Sequence, residues 1–112
     1  MATIKSYTDL EQSKKLAEIL PTESADMCWC LAVKGEPEVV LNNGYNEYGD
    51  FELPCWSLTA LMNLLDDKAG LAKDYGLWFC YDNGKSHCTK HYQETIDAAF
   101  EMICWLKENE KI

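Results

Sequence analysis

The chain has 112 residues, the size of one domain, and its hydrophobic fraction of 47% is typical of a globular protein. Ten lysines and no arginine stand against 19 acidic residues, giving a formal net charge of −9. The phosphates of a nucleic acid repel an acidic protein. Without arginine, the chain also lacks the planar guanidinium group that forms paired hydrogen bonds with guanine. We therefore expect no direct binding to nucleic acid.

The first residues, Met1 to Ser6, contain no apolar segment of the kind found in a signal peptide. No stretch approaches the ~20 apolar residues that a membrane span needs. These features predict a cytoplasmic protein that does not associate with a membrane. In that compartment the six cysteines are expected to be reduced thiols.

The first predicted element is a helix over residues 9–20. Thr8 and Glu11 have the spacing of a capping box, in which each side chain bonds the backbone of the other. Pro21 cannot continue a helix and is expected to end it. Apolar runs at 28–33 and 38–41 then predict two strands of a hairpin, since the short gap between them contains glycine and proline.

Residues 42–52 are rich in asparagine and glycine and are expected to form a loop. The second helix is predicted to follow Ser57, a favourable N-cap, because Leu58, Leu61, Met62 and Leu65 repeat at helical spacing. Residues 66–70 are expected to end it.

A second hairpin is predicted from strands at 76–81 and 86–92. Asn83 and Gly84 lie between them, and Asn-Gly is the preferred pair for a tight type I′ turn. A third, deeply packed helix is expected to open at Thr95. The order α-β-β-α-β-β-α predicts a single α+β domain over 1–112, with helices packed on one face of a small antiparallel sheet.

Cys80, His87 and His91 are the strongest candidates for chemistry. In the predicted hairpin register Cys80 pairs with His87, and alternation places His91 on the same face, whereas Cys88 points to the opposite face. Three ligands could converge, but a structural zinc site needs four. Cys80 and His87 could also form a thiolate–imidazolium pair. The alternative interpretation is that the cysteines are small apolar residues of the core.

A second candidate is the span from Gly35 to Asp67, which carries seven acids and no lysine. Its aromatic residues include tyrosine and tryptophan, which are frequent anchors of protein interfaces. The alternative is that Phe51 and Trp56 close the core while the tyrosines shield it. The residues predicted to bind a partner are Tyr45, Glu47, Tyr48, Asp50 and Trp56.

Four stretches, at 6–17, 23–27, 54–61 and 96–103, read SYTDLEQSKKLA, ESADM, PCWSLTAL and IDAAFEMI. Together they resemble a family of small uncharacterised proteins carried by phage and conjugative elements of gut bacteria. The resemblance implies a bacterial accessory protein of a mobile element, and it supplies no activity and no site residues.

The sequence contains no glycine-rich phosphate loop and no serine-hydrolase or zinc-protease motif. We therefore expect a non-enzymatic, acidic interaction module without a cofactor. A sharper version of this hypothesis is an inhibitor of a basic host protein. The alternative is a small metal- or thiol-dependent protein using Cys80, His87 and His91. A homodimer formed through the apolar third helix is a third hypothesis.

Overall fold

The computed structural model describes residues 5–31, 37–41, 52–84 and 87–112. These ranges confirm the α+β class and the predicted order of elements, with one additional strand, β3, before the second helix and with β4, which precedes β5, in place of the strand predicted at 86–92. The elements are α1 (Leu10–Ile19), a short 3₁₀ turn (Thr22–Ser24), β1 (Met27–Leu31), β2 (Pro37–Leu41), β3 (Glu52–Cys55), α2 (Leu58–Leu65), β4 (Ala69–Asp74), β5 (Leu77–Asp82) and α3 (Thr95–Glu108).

The cap of α1 lies one residue later than predicted. Asp9, not Thr8, is the N-cap, and it forms the capping box with Gln12. Thr8 is instead fully buried, where its hydroxyl accepts the backbone N–H of Trp56 at 3.1 Å and bonds the hydroxyl of Ser13 at 2.8 Å. A hydroxyl already engaged in the core cannot also cap the helix.

The strands form two antiparallel sheets, rather than the single sheet expected. In the first sheet β1 is central, so that Cys28 pairs with Val40 of β2 on one side and with Pro54 of β3 on the other. The proline is tolerated because β3 lies at an edge, where one missing N–H leaves the rest of the ladder intact.

The second sheet differs most from the prediction. Its hairpin joins β4 to β5 through a two-residue turn at Tyr75 and Gly76, so β5 pairs with a strand that precedes it. Residues 87–92 follow β5 as an irregular third segment, held by isolated bridges from Tyr81 to Cys88 and from Trp78 to Tyr92. The predicted hairpin at Asn83 and Gly84 is therefore wrong in register.

The core lies between α3, α2, the C-terminal half of α1 and the inner face of β4 and β5. Helix α3 has the widest buried face, which confirms that it is deeply packed. Trp56 is the largest fully buried side chain. The other fully buried apolar side chains of this core include Leu16, Leu61, Leu65, Cys80, Ile96, Met102 and Ile103.

Candidate acidic binding site

Most of the predicted partner-binding surface lies outside the described residues. Tyr45, Glu47, Tyr48 and Asp50 belong to the range 42–51, on which the structure carries no description. Their role in binding therefore stays a prediction.

Trp56, the fifth residue of that predicted surface, is placed in the core. Its exposure is 0%, and its indole N–H donates to the hydroxyl of Ser24 at 2.9 Å. Its backbone N–H is held by Thr8. A partner cannot reach this ring without opening the fold, so the prediction that Trp56 is a surface anchor is wrong. The alternative, in which Trp56 closes the core, is the one observed.

The expected convergence of Cys80, His87 and His91 is also not observed. Two isolated bridges join β5 to residues 87–92, one from Tyr81 to Cys88 and one from Trp78 to Tyr92. The bridged residues are three positions apart on β5 but four positions apart on the segment 87–92. One extra residue reverses the alternation of side chains beyond it. His87 stacks on Trp105 of α3, at 4.4 Å between ring centroids. His91 instead contacts Phe79 in a tilted arrangement, at 4.7 Å between ring centroids, on the face opposite Cys80.

The chemistry of Cys80 argues further against the metal or thiol alternative. The side chain is fully buried, and desolvation, with a smaller effect of the Glu101 carboxylate, raises its pKa to about 12. A nucleophile or metal ligand needs the thiolate, which this environment disfavours. Among the described residues, no group of three or more cysteine, histidine or acidic side chains is placed to hold a metal ion.

The described surface does contain a pocket with acidic character. It lies between the 3₁₀ turn and α2, and its volume is about 340 Å³. Two carboxylates line it, Glu23 and Asp26, together with the polar side chains of Thr59 and Asn63. Leu64 and two alanines supply an apolar wall. Its volume falls at the lower end of the range for pockets that hold small ligands, but its lining is more polar than is usual for them, since five of its eight residues are polar or charged.

Hydrogen bonds fix the walls of this acidic pocket. The Asp26 carboxylate accepts the backbone N–H of Ser57 at 2.9 Å and its hydroxyl at 2.5 Å. Ser57 is the N-cap of α2 and accepts from the backbone of Ala60. Ser24 is held between Trp56 and the carbonyl of Pro21. The pocket therefore exists before any ligand arrives, which lowers the entropic cost of binding.

The charge of the acidic pocket is of one sign. No lysine is among the residues that line it. Its two walls come from residues 23–26 and 59–64, and the segments around them, 16–33 and 35–67, contain no lysine or arginine. Both carboxylate oxygens of Asp26 already accept hydrogen bonds from Ser57, whereas the Glu23 side chain is exposed to solvent. The arrangement favours a positively charged group that enters from solvent.

The sequence analysis missed this pocket because it predicts no helix or strand for residues 22–26, which lie between the first helix and the first strand. The absence of cations around α2 was visible in the sequence, and it did point toward this part of the chain. What the sequence does not show is that the 3₁₀ turn packs beside α2, an arrangement set by the bonds from Trp56 to Ser24 and from Ser57 to Asp26.

In the part of the chain that the structure describes, no helix is both long enough and apolar enough to cross a membrane. Comparison of the chain with protein-family models, with curated proteins and with solved structures finds no match.

Proposed function

We propose that this protein is a non-enzymatic interaction module that binds a basic protein partner, and that the acidic pocket receives a lysine side chain of that partner. The observation that carries the proposal is the preformed pocket between the 3₁₀ turn and α2, with Glu23 and Asp26 in its lining and no cation. A cytoplasmic accessory protein of a mobile element that inhibits a basic host protein would use such a site.

The shape and chemistry of the pocket favour a lysine side chain over a bare metal ion. A lysine has a long apolar stem, which suits the alanines and Leu64, and a compact ammonium head, which suits the carboxylates. A hard metal ion would require several oxygens arranged around one point. Asp26 instead directs both of its oxygens toward Ser57.

The net charge of −9 would act at longer range. It draws a basic partner toward the surface and repels acidic proteins and nucleic acid, which raises the rate of association more than the final affinity. Glu47 and Asp50 would add to this field. Because exposed charges are screened beyond about 10 Å at 0.1 M salt, binding should weaken as salt is added.

A titration followed by NMR tests the proposal. The ¹⁵N-labelled protein is titrated with a short lysine-containing peptide and, separately, with the same peptide carrying glutamine in place of lysine. We expect saturable shifts at the amides of residues 23–26 and 59–63 with the lysine peptide only, weakening at high salt.

Two variants with the same change of charge provide the control. Glu23→Gln removes a carboxylate of the pocket, and Glu18→Gln removes an exposed carboxylate of α1 that does not line it. Exposed ion pairs are weak, so Glu23→Gln should reduce affinity by about two- to five-fold while Glu18→Gln leaves it nearly unchanged. Thr59→Lys, which places a cation in the pocket, should abolish binding. Equal effects of the two glutamine variants, or shifts scattered over the whole surface, would contradict the proposal.

A further inference from the structure

Asn83 and Gly84 are the residues expected to form a type I′ turn, and the proposed binding makes no use of them. Both are exposed, and neither has a positive φ. Two hydrogen bonds hold Asn83: its backbone N–H donates to the carbonyl of Lys68 at 2.8 Å, and its side-chain amide donates to the carbonyl of Asp67. These bonds tie the end of β5 to the connection between α2 and β4.

An asparagine that precedes glycine is open to an intramolecular reaction. Hydroxide removes the proton of the glycine N–H, and the nitrogen forms a bond to the side-chain carbonyl carbon of the asparagine. The side-chain nitrogen takes a proton from water and leaves as ammonia. A second water then opens the five-membered imide at either carbonyl, giving aspartate or isoaspartate. A side chain on the second residue would crowd the attacking nitrogen, and glycine has none.

The described ranges contain three asparagines, all of them exposed, and they differ in the N–H that follows them. After Asn63, which lies within α2, that N–H is engaged in the helix. After Asn109 it donates to the carbonyl of Lys107 at 3.1 Å. After Asn83 it belongs to Gly84 and donates to none of the described residues. Of these three asparagines, Asn83 therefore precedes the most accessible nitrogen.

We propose that Asn83 is a deamidation site, at which the folded protein is converted to aspartate and isoaspartate forms. The product loses the donor that holds Asp67, because a carboxylate and a carbonyl oxygen are both acceptors. It also places a negative charge close to Asp82, whose Oδ2 lies 3.1 Å from the position of a methyl group added to Gly84. Deamidation thus loosens the junction between β5 and the α2–β4 connection, and it does not depend on the acidic pocket.

Peptide mapping of the folded protein tests the proposal. Wild-type protein is incubated at mildly alkaline pH and digested, and liquid chromatography with mass spectrometry separates the asparagine, aspartate and isoaspartate forms of each peptide. Asn109 is the matched control, since its side-chain amide also donates to a backbone carbonyl, that of Trp105 at 2.8 Å. Asn83 should react about ten-fold faster than Asn109, and Gly84→Ala should slow the reaction at Asn83 by a similar factor.

Amide hydrogen exchange tests the effect on the structure. Asn83→Asp reproduces one product, and the backbone N–H of residue 83 should exchange about ten-fold faster in this variant than in wild type. Asn109→Asp makes the same change of charge and should leave exchange at residue 83 unaltered. Equal rates of deamidation at Asn83 and Asn109, or no slowing in Gly84→Ala, would overturn the site. Unchanged exchange in Asn83→Asp would overturn its effect on the junction.

Discussion

The second sheet contains two turns whose sequences and structures are mismatched. Asn83 and Gly84 form the pair that most favours a type I′ turn, yet neither residue has a positive φ. Tyr75 and Gly76 are a poorer pair, yet both have positive φ and close the tight hairpin. The turn that the local sequence favours is not the turn that the chain uses for its tight hairpin.

Strand pairing accounts for the difference. The Tyr75 turn joins two strands with a continuous ladder, in which Ala69 is buried and the Tyr81 ring lies across Gly70. The Asn83 turn is instead held by specific bonds: its backbone N–H donates to the carbonyl of Lys68, and Asp82 accepts the N–H of His87. Tertiary pairing thus decides where each turn lies, even where the residue at the turn is poorly suited to it.

The largest expected difference concerns the thiols on either side of the Asn83 turn. Cys80 precedes it and is buried with a pKa of about 12, whereas Cys88 follows it and is exposed. At pH 8 a thiol whose pKa is raised so far by burial stays almost entirely protonated. In native protein Cys88 should react with a thiol reagent while Cys80 stays protected. Equal rates at the two residues, measured by mass spectrometry of labelled peptides, would restore the thiol alternative.

Asp82→Ala should give the largest loss of stability among the turn variants. The carboxylate is 2% exposed and accepts the His87 N–H at 2.7 Å, so truncation leaves that donor without its partner. The expected decrease in the free energy of unfolding is about 1–3 kcal/mol, measured by urea denaturation. Asp67→Ala, at an exposed position, is the control and should change stability by less than about 0.5 kcal/mol. Similar losses in both variants would contradict this role of Asp82.

Replacing each glycine by alanine compares the turns directly. Gly76 has a φ of +81°, so alanine there should cost about 1–2 kcal/mol of stability although nothing lies within 4 Å of the added methyl group. Gly84 lacks a positive φ, and its added methyl group would meet only Asp82 Oδ2 at 3.1 Å. The loss for Gly84→Ala should be smaller. A larger loss at Gly84 would mean that the tight turn has been assigned to the wrong place.

Much of the fold followed from patterns in the sequence. The spacing of Leu58, Leu61 and Leu65 predicted α2, and Thr95 does open α3. The two missed strands carry weak local signals: β3 is four residues long and contains Pro54, and β4 has glycine and small residues but no β-branched one. Both strands depend on a partner strand for their structure, and single-sequence patterns do not show partners.

The candidate sites were harder to predict for a related reason. A tryptophan is suited to a core and to an interface alike, and only the bonds from Trp56 to Ser24 and Thr8 place it in the core. The acidic pocket depends on the packing of one short turn against α2. The tight turn at Tyr75 was not predicted, because Tyr-Gly is not a preferred turn pair and the positive φ of Tyr75 is visible only in the structure.

The central claim is that strand pairing, not the local turn preference, places the tight turn at Tyr75 and Gly76, so that the tyrosine destabilises its own turn. The unfolding free energy of Tyr75→Asn tests this claim most directly. Asparagine tolerates positive φ, and the tyrosine ring makes almost no contact that could be lost. We predict that urea denaturation will show the variant to be more stable than wild type by about 0.5–1 kcal/mol. A variant less stable than wild type would show that the ring supports the fold and would contradict the account.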